Sequence, residues 1–479
     1  MKLNAQVMSD EKNTAVVQAP FAGLQSVYFI GIGGIGMSAL ARFFHTQGIK
    51  VSGYDKTSTV LTRQLSDSGI VIHYEENLAL LPEQVDLVVY TPAIPATHKE
   101  LVHYRETGTK VVKRSDVLQI ISEGSFNICI AGTHGKTTIT TMVAHILRDT
   151  GYGCNAFLGG ISANYGTNFW SDPRNVCVIE ADEYDRSFLK LSPDIAIISA
   201  MDADHLDIYG DAATMEEAFI DFSKKIKPGG LLVYQAGLPK SDALVADRKI
   251  SYTAQNESGD TVAKNIRITE GGYVFDAQVG DRLFENVVLN MGGLHNVENM
   301  LAAITVASSL DIDVAKIKAS VASFKGVKRR FEYIVPPAPQ TDIVYIDDYA
   351  HHPEELRPLI TGAKKMFESR KCTVIFQPHL FSRTRDFADG FAAVLDMADE
   401  VILLPIYPAR ELPIEGVNSD MLLARMKNVN KRILNKEEVM GWLQEQYART
   451  GSDEKKLLIT AGAGDVDTLV PQIKAYLTQ

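Results

Sequence analysis

An apolar run from Phe126 to Ala131 leads into Gly132-Thr133-His134-Gly135-Lys136-Thr137-Thr138. Met142, Val143, Ile146 and Leu147 then recur at helical spacing before Gly151. The pattern predicts a buried strand, a tight loop and an amphipathic helix. Such a junction cradles phosphate, because backbone N–H groups and the positive end of the helix dipole face the anion. The longer G-x-x-x-x-G-K-[ST] form would need glycine where Ile130 stands, so this is the shorter G-x-x-G-K-T form. Lys136 can reach the outer phosphates, and a threonine hydroxyl can hold Mg²⁺.

A similar alternation opens the chain. Val27 to Ile30 reads as a strand, followed by Gly31-Ile32-Gly33-Gly34-Ile35-Gly36 and a helix from about Ser38, with Leu40, Ala41 and Phe44 on one face. The strand Lys50 to Gly53 ends at Asp55. An acid about 20 residues beyond such glycines is where a dinucleotide fold holds a ribose. Residues 21–120 therefore read as a Rossmann-type domain for NAD or another nucleotide diphosphate. Val85 to Tyr90 runs into Thr91-Pro92-Ala93-Ile94-Pro95. That loop is either an ordinary turn or part of the carboxyl edge of the sheet, where ligands sit.

Further strands end in chemistry. Val176 to Ile179 runs into Glu180-Ala181-Asp182-Glu183, whose hard oxygens suit Mg²⁺. Asp194 to Met201 runs into Asp202-Ala203-Asp204-His205-Leu206-Asp207, which places His205 near metal or phosphate. Residues 229–290 are rich in strand and loop signals. Asn296 and Asn299 precede a helix from Met300 to Leu310 and read equally as caps or as adenine contacts. Lys328-Arg329-Arg330 reads as a solvated patch. Beyond it, strands at 343–346, 373–376, 401–404 and 457–460 each run into a polar or glycine loop, a third doubly wound pattern.

The fold expected is α/β with three domains: a flexible tail 1–20, a Rossmann-like domain 21–120, a central P-loop ATPase domain with a parallel sheet at 121–325, and a Rossmann-like domain 326–479. The 479 residues suit several cores. A net charge of −11 argues against nonspecific binding to nucleic acid. No apolar run approaches the roughly 20 residues of a membrane span. The isolated Cys129, Cys154, Cys177 and Cys372 fit buried thiols in a reducing cytoplasm. ATP at one loop, a second nucleotide-like ligand at another and a third domain with His and Arg suit a ligase that makes an acyl phosphate for attack by an amine. A nicotinamide-dependent oxidoreductase would leave the phosphate loop without a use, and a non-catalytic sensor would bind ATP without amine-dependent turnover.

Several motifs, in order, resemble the Mur ligase family over about residues 24–470. They are GIGGIGMSALA (31–41), GTHGKTT (132–138), EADEYD (180–185), DADHLD (202–207), GLHN (293–296), GVKRRFE (326–332), DDYAHHP (347–353) and QPHLFSRTRDF (377–387). The resemblance implies ATP-dependent joining of L-alanine to UDP-N-acetylmuramate, with ATP and Mg²⁺ as cofactors, in a cytoplasmic monomer or homodimer. A member recycling a murein tripeptide is the alternative. UDP, not NAD, would lie on Gly33, Gly34, Ile35, Gly36, Met37, Ser38, Asp55, Thr91, Pro92, Ala93 and Ile94. ATP would take the loop 132–138 with His295, Asn296 and Asn299. Thr137, Glu180 and His205 would surround Mg²⁺. The catalytic set would be Lys136 on the β/γ-phosphates and the transferred group, His205 beside Mg²⁺, and Arg329 and His351 reaching toward the phosphates; Tyr349, His379 and Arg383 would position the amino acid, with Arg383 on its carboxylate. Phe219 stands where ligases of later steps carry a carbamylated lysine, which removes one metal-bridging group. His73 and Asn77 match the uridine-side segment only loosely.

Overall fold

The computed structural model describes residues 21–202, 209, 211–256, 258–338, 342–409, 411–447 and 454–479. The tail 1–20 and His205 lie outside them. The chain packs as two compact units. One runs to Lys264 and includes Asp276–Val287 and Glu298–Phe324; the other holds Asn265–Phe275, Val288–Val297 and Lys325–Gln479.

The first unit opens with β1 (Ser26–Ile30), β2 (Lys50–Tyr54), β3 (Val71–His73), β4 (Leu87–Tyr90) and β5 (Val111–Lys113), ordered β3-β2-β1-β4-β5. All the pairs are parallel. Successive crossovers leave β1 in opposite directions, so a crevice opens between the carboxyl ends of β1 and β4. The glycine loop follows β1, and Thr91–Ile94 follows β4. The first helix is Ile35–Thr46, with Gly34 as an extended N-cap. It therefore starts before Ser38, because Ser38 N already donates to Gly34 O at 2.8 Å. Phe29, Phe43 and Phe44 are buried against this helix and sheet.

The second sheet contains β6 (Phe126–Ala131), β7 (Asn155–Phe157), β8 (Phe169–Trp170), β9 (Val176–Glu180), β10 (Ile195–Ile198), β11 (Leu231–Gln235), β12 (Arg248–Thr253), β13 (Thr261–Thr269), β14 (Gly272–Val279) and β15 (Arg282–Leu289). Their order is β15-β14-β13-β12-β11-β10-β6-β9-β7-β8. β6 lies between β9 and β10, parallel to both. This brings the phosphate loop, the acids after β9 and the segment after β10 to one edge. The β-rich stretch is five strands, β11–β15. The helix Leu294–Ser309 starts earlier than expected, because Asn296 N donates to Gly293 O at 2.9 Å. Asn296 and Asn299 thus lie inside the helix.

The second unit carries β16 (Glu332–Val335), β17 (Ile343–Asp348), β18 (Lys371–Phe376), β19 (Glu400–Leu403), β20 (Lys431–Ile433) and β21 (Lys456–Ala461), ordered β16-β17-β21-β18-β19-β20. Only β16 is antiparallel among the paired strands described. The parallel strands send their carboxyl ends to one edge. The four cysteines are free and buried. Among the described residues no helix is long and apolar enough to cross a membrane.

Candidate active site

The phosphate loop has the backbone that its glycines predict. Gly132 has φ +136°, and a Cβ there would stand 2.2 Å from Ser199 Oγ. Gly135 caps the helix Lys136–Asp149 at φ +79°, where a Cβ would meet Asn299 Oδ1 at 2.8 Å. That helix has neither a side-chain cap nor an acid in its first turn, so its N–H groups are left to face an anion. Thr133 N donates to Ala200 O at 3.1 Å, and Ser199 Oγ donates to His134 O. The segment after β10 thus holds the loop in shape. Thr138 is buried, while His134 is exposed with Nε2 3.6 Å from Asp202 Oδ2.

Lys136 folds back over the loop. Its Nζ donates to Gly132 O at 2.8 Å and to Glu183 Oε1 at 2.7 Å. Thr137 Oγ1 donates to Glu180 Oε1 at 3.1 Å, and Gly159 N donates to Glu180 Oε2 at 3.1 Å. Desolvation pushes the Glu180 carboxyl above its ordinary range, opposed by Lys136 and the Thr137 hydroxyl. A hydroxyl beside a carboxylate at a phosphate loop is the hard-oxygen set that Mg²⁺ takes together with nucleotide phosphates and water. Among the described residues no cluster of three or more His, Cys, Asp or Glu is placed to hold a metal. His205 lies outside them.

The glycine loop is braced similarly. Gly31 N and Ile32 N donate to Tyr54 O at 2.8 and 3.0 Å. Asp55 Oδ2 accepts from Gly33 N at 2.7 Å and Oδ1 from Thr57 N at 3.1 Å, so this carboxylate shapes the loop. Thr91 and Ile94 pack on Gly31, with side-chain carbons 3.0 and 3.3 Å from where a Cβ would stand. Pro92 and Ala93 are exposed at the mouth, as is Gly34; Ile35 is half-buried. Met37 and Ser38 turn inward. Ser38 is fully buried, with its hydroxyl on Ile35 O and the amide of Asn168. Both side chains lie on the helix's inner face. Gly36 faces Arg114, whose Nη2 lies 3.3 Å from Asp182 Oδ2.

In the second unit the residues after β17 and β18 converge. The rings of Tyr349 and His351 lie 5.2 Å apart, His351 and His379 5.9 Å, and His379 and Tyr407 5.8 Å and nearly parallel. Arg383 Nη1 is 3.2 Å from His379 Nδ1. Burial, Arg383 and His351 push His379 down to about 4, so it is neutral at pH 7. Burial lowers His351 as well, opposed by Glu355. Among the described residues Arg383 makes no ion pair, which leaves a guanidinium beside aromatic rings for a carboxylate.

Arg329 is not a solvated patch. Its guanidinium pairs with Asp467 at 3.2 Å and Asp347 at 3.6 Å, bonds Gly462 O and lies 5.0 Å over the Tyr349 ring. Asp347 is buried, and its desolvation outweighs Arg329 and holds its carboxyl up at about 7. Asn296 is buried with Nδ2 on Gly292 O, whereas His295 is exposed.

Three family descriptions match in succession: "Mur ligase family, catalytic domain" over residues 26–125, "Mur ligase middle domain" over 130–307 and "Mur ligase, glutamate ligase domain" over 329–464. The chain belongs to the Mur ligase family. It is 45% identical over 465 residues to the UDP-N-acetylmuramate–L-alanine ligase of Cytophaga hutchinsonii, covering 95% of this chain and 97% of that one. It is 44% identical over 460 residues to the ligase of the same name from Flavobacterium johnsoniae, covering 95% and 98%. The solved UDP-N-acetylmuramate–alanine ligase of Thermotoga maritima superposes with a TM-score of 0.79 at 29% identity, covering 95% and 99%. A murein peptide ligase from Psychrobacter arcticus, at 23% identity and a TM-score of 0.66 over 95% and 98%, shares the fold.

Within this Mur ligase, Phe219 is fully buried with its ring 5.4 Å from Phe188. An apolar cluster thus occupies the position where the resemblance placed a lysine in other members. Arg114, Asn168, Ser199 and Tyr407 lie outside the motifs that mark the site in the sequence. Arg114 carried the one available signal, a cation just past the carboxyl end of a strand. Glu183 stood among the acids after β9, but spacing does not reveal that it holds Lys136.

Proposed function

We propose that this Mur ligase joins L-alanine to the lactyl carboxylate of UDP-N-acetylmuramate at the expense of ATP. The observation that carries the reading is the similarity, at 44–45% identity over 95% of the chain, to ligases bearing that name. We assign the nucleotide sugar to residues 21–120, ATP to 121–325 and the amino acid to 326–479.

The carboxylate oxygen attacks the γ-phosphorus, ADP departs and an acyl phosphate forms. The bound alanine ammonium gives up a proton, the free amine attacks the carbonyl carbon of the acyl phosphate, phosphate leaves and the nitrogen loses its second proton. Lys136 exchanges Glu183 for the outer phosphates and offsets the charge on the transferred group. Thr137 and Glu180 would hold Mg²⁺, which when bound neutralises phosphate charge. Asn299, against Gly135, belongs to the ATP side of the first unit. Tyr349, His379 and Arg383 orient alanine; the guanidinium takes its carboxylate, and the neutral imidazole does not repel its ammonium group. Mass spectrometry of a reaction with ATP, Mg²⁺, UDP-N-acetylmuramate and L-alanine tests this. The alanyl nucleotide sugar is expected; unchanged UDP-N-acetylmuramate would refute the reading.

A further inference from the structure

The helix Arg114–Glu123 begins directly after β5. Its first residue reaches the glycine loop: Arg114 Nη1 lies 2.3 Å from where a Cβ on Gly36 would stand. In a dinucleotide fold the third glycine serves close helix–strand packing. Here the missing side chain admits a guanidinium. The helix Ile35–Thr46 has neither a side-chain cap nor an acid in its first turn, and the Asp55 carboxylate at the loop is taken up by Gly33 N and Thr57 N.

The other arm of Arg114 pairs with Asp182, and both side chains are partly exposed, at 25% and 37%. Arg114 and Asp182 line one small cavity with Ser115, Leu118 and Glu180, the candidate Mg²⁺ ligand. Arg114 therefore stands between the glycine loop and the acids of the ATP site, within the first unit. A guanidinium offers five donors, and only one contact is taken by Asp182 among those described.

We propose that Arg114 binds the diphosphate of the nucleotide sugar, and that Asp182 competes with the diphosphate for it. This rests on the reading that the glycine loop holds UDP-N-acetylmuramate. Asp182 acts as a positioning residue that neutralises Arg114 until the ligand arrives. Uridine, lacking phosphate, gains nothing from Arg114.

Calorimetric titration of the full chain with UDP and with uridine tests this, on wild type, Arg114→Ala, Arg114→Lys and Asp182→Asn. Arg114→Ala should weaken UDP by about tenfold or more, as expected for a lost charge-assisted contact. Uridine affinity and the KM for ATP should stay within about twofold, since neither ligand uses this contact. Arg114→Lys should recover part of the loss, because the charge remains and the fork does not. Asp182→Asn should tighten UDP, which a merely structural pair would not do. Overturning results are an Arg114→Ala protein that binds UDP like wild type, or one that loses UDP and uridine equally. Should that variant not fold, Asp182→Asn decides: tighter UDP supports the proposal, and unchanged or weaker UDP overturns it. Wild type that binds no UDP would refute the nucleotide-sugar reading itself, and this proposal with it.

Discussion

Lys136 Nζ lies 2.7 Å from Glu183 Oε1, across 47 residues of sequence. Glu183 is fully buried and Lys136 mostly so. A buried pair of this kind contributes little net stability, but removing one partner leaves the other charge uncompensated. The pair keeps the lysine at the mouth of the phosphate loop, where a nucleotide can replace one anion with another.

Lys136→Ala should lower ligation by about a thousandfold, the scale of losing a cation from a phosphoryl-transfer site. It should also cost about 3 kcal/mol of stability through the stranded Glu183. UDP affinity should not change. Activity, thermal melting and UDP titration check the three together; a parallel loss of UDP binding would contradict the assignment of the two nucleotides to separate loops.

Arg383→Lys keeps the charge and loses the planar fork. The KM for L-alanine should rise about tenfold, the cost of one charge-assisted hydrogen bond. The KM for ATP should hold. Initial-rate kinetics distinguish this from a general loss of activity, which would argue that the residue is structural.

Two groups of the second unit give opposite pH dependences. His379 sits near 4 against an ordinary 6.5. Between those values the unfolded chain binds the proton and the folded chain does not, so this contribution to stability grows as pH rises from 4 to 6.5. Asp347 sits at about 7 against 3.8. There the folded chain keeps its proton longer, so stability falls as pH rises from about 4 to 7. Asp347→Asn should steepen the rise of Tm with pH between 4 and 6.5, and His379→Gln should flatten it. Melting curves across this window that coincide for all three proteins would contradict both assignments.

Phe219 fills a core position against Phe188. Phe219→Ala should cost about 3–5 kcal/mol, the range for an emptied aromatic site. Denaturant unfolding of wild type and variant measures it; a cost under about 1 kcal/mol would mean that the site collapses without loss.

The fold was legible where a strand meets a loop of unusual composition. Gly132 and Gly135 announce the loop because positive φ and a close approach demand glycine there, and Lys136 supplies the cation for a phosphate. The β1 glycine loop and Thr91–Ile94 meet because parallel β1 and β4 are sheet neighbours; the alternation of strands and helices implies a parallel sheet but not that order. The first helix starts at Ile35, ahead of the apolar periodicity that begins near Ser38, because Gly34 serves as an extended cap. The partners of Lys136, Arg114 and Arg329 were not legible, since each is a long-range pair that only the folded chain brings together. Arg329 illustrates the point: in sequence it is one of three cations in a row, and in the fold it is bound by Asp347, Asp467 and Gly462 O.

The most direct test of the whole account is phosphate release from ATP with Mg²⁺ and UDP-N-acetylmuramate, with and without L-alanine. Sustained release that requires both the nucleotide sugar and alanine is the predicted result. Release that ignores alanine but follows a murein tripeptide would contradict the assignment of the amino-acid substrate, and release that requires neither acceptor would contradict ligation.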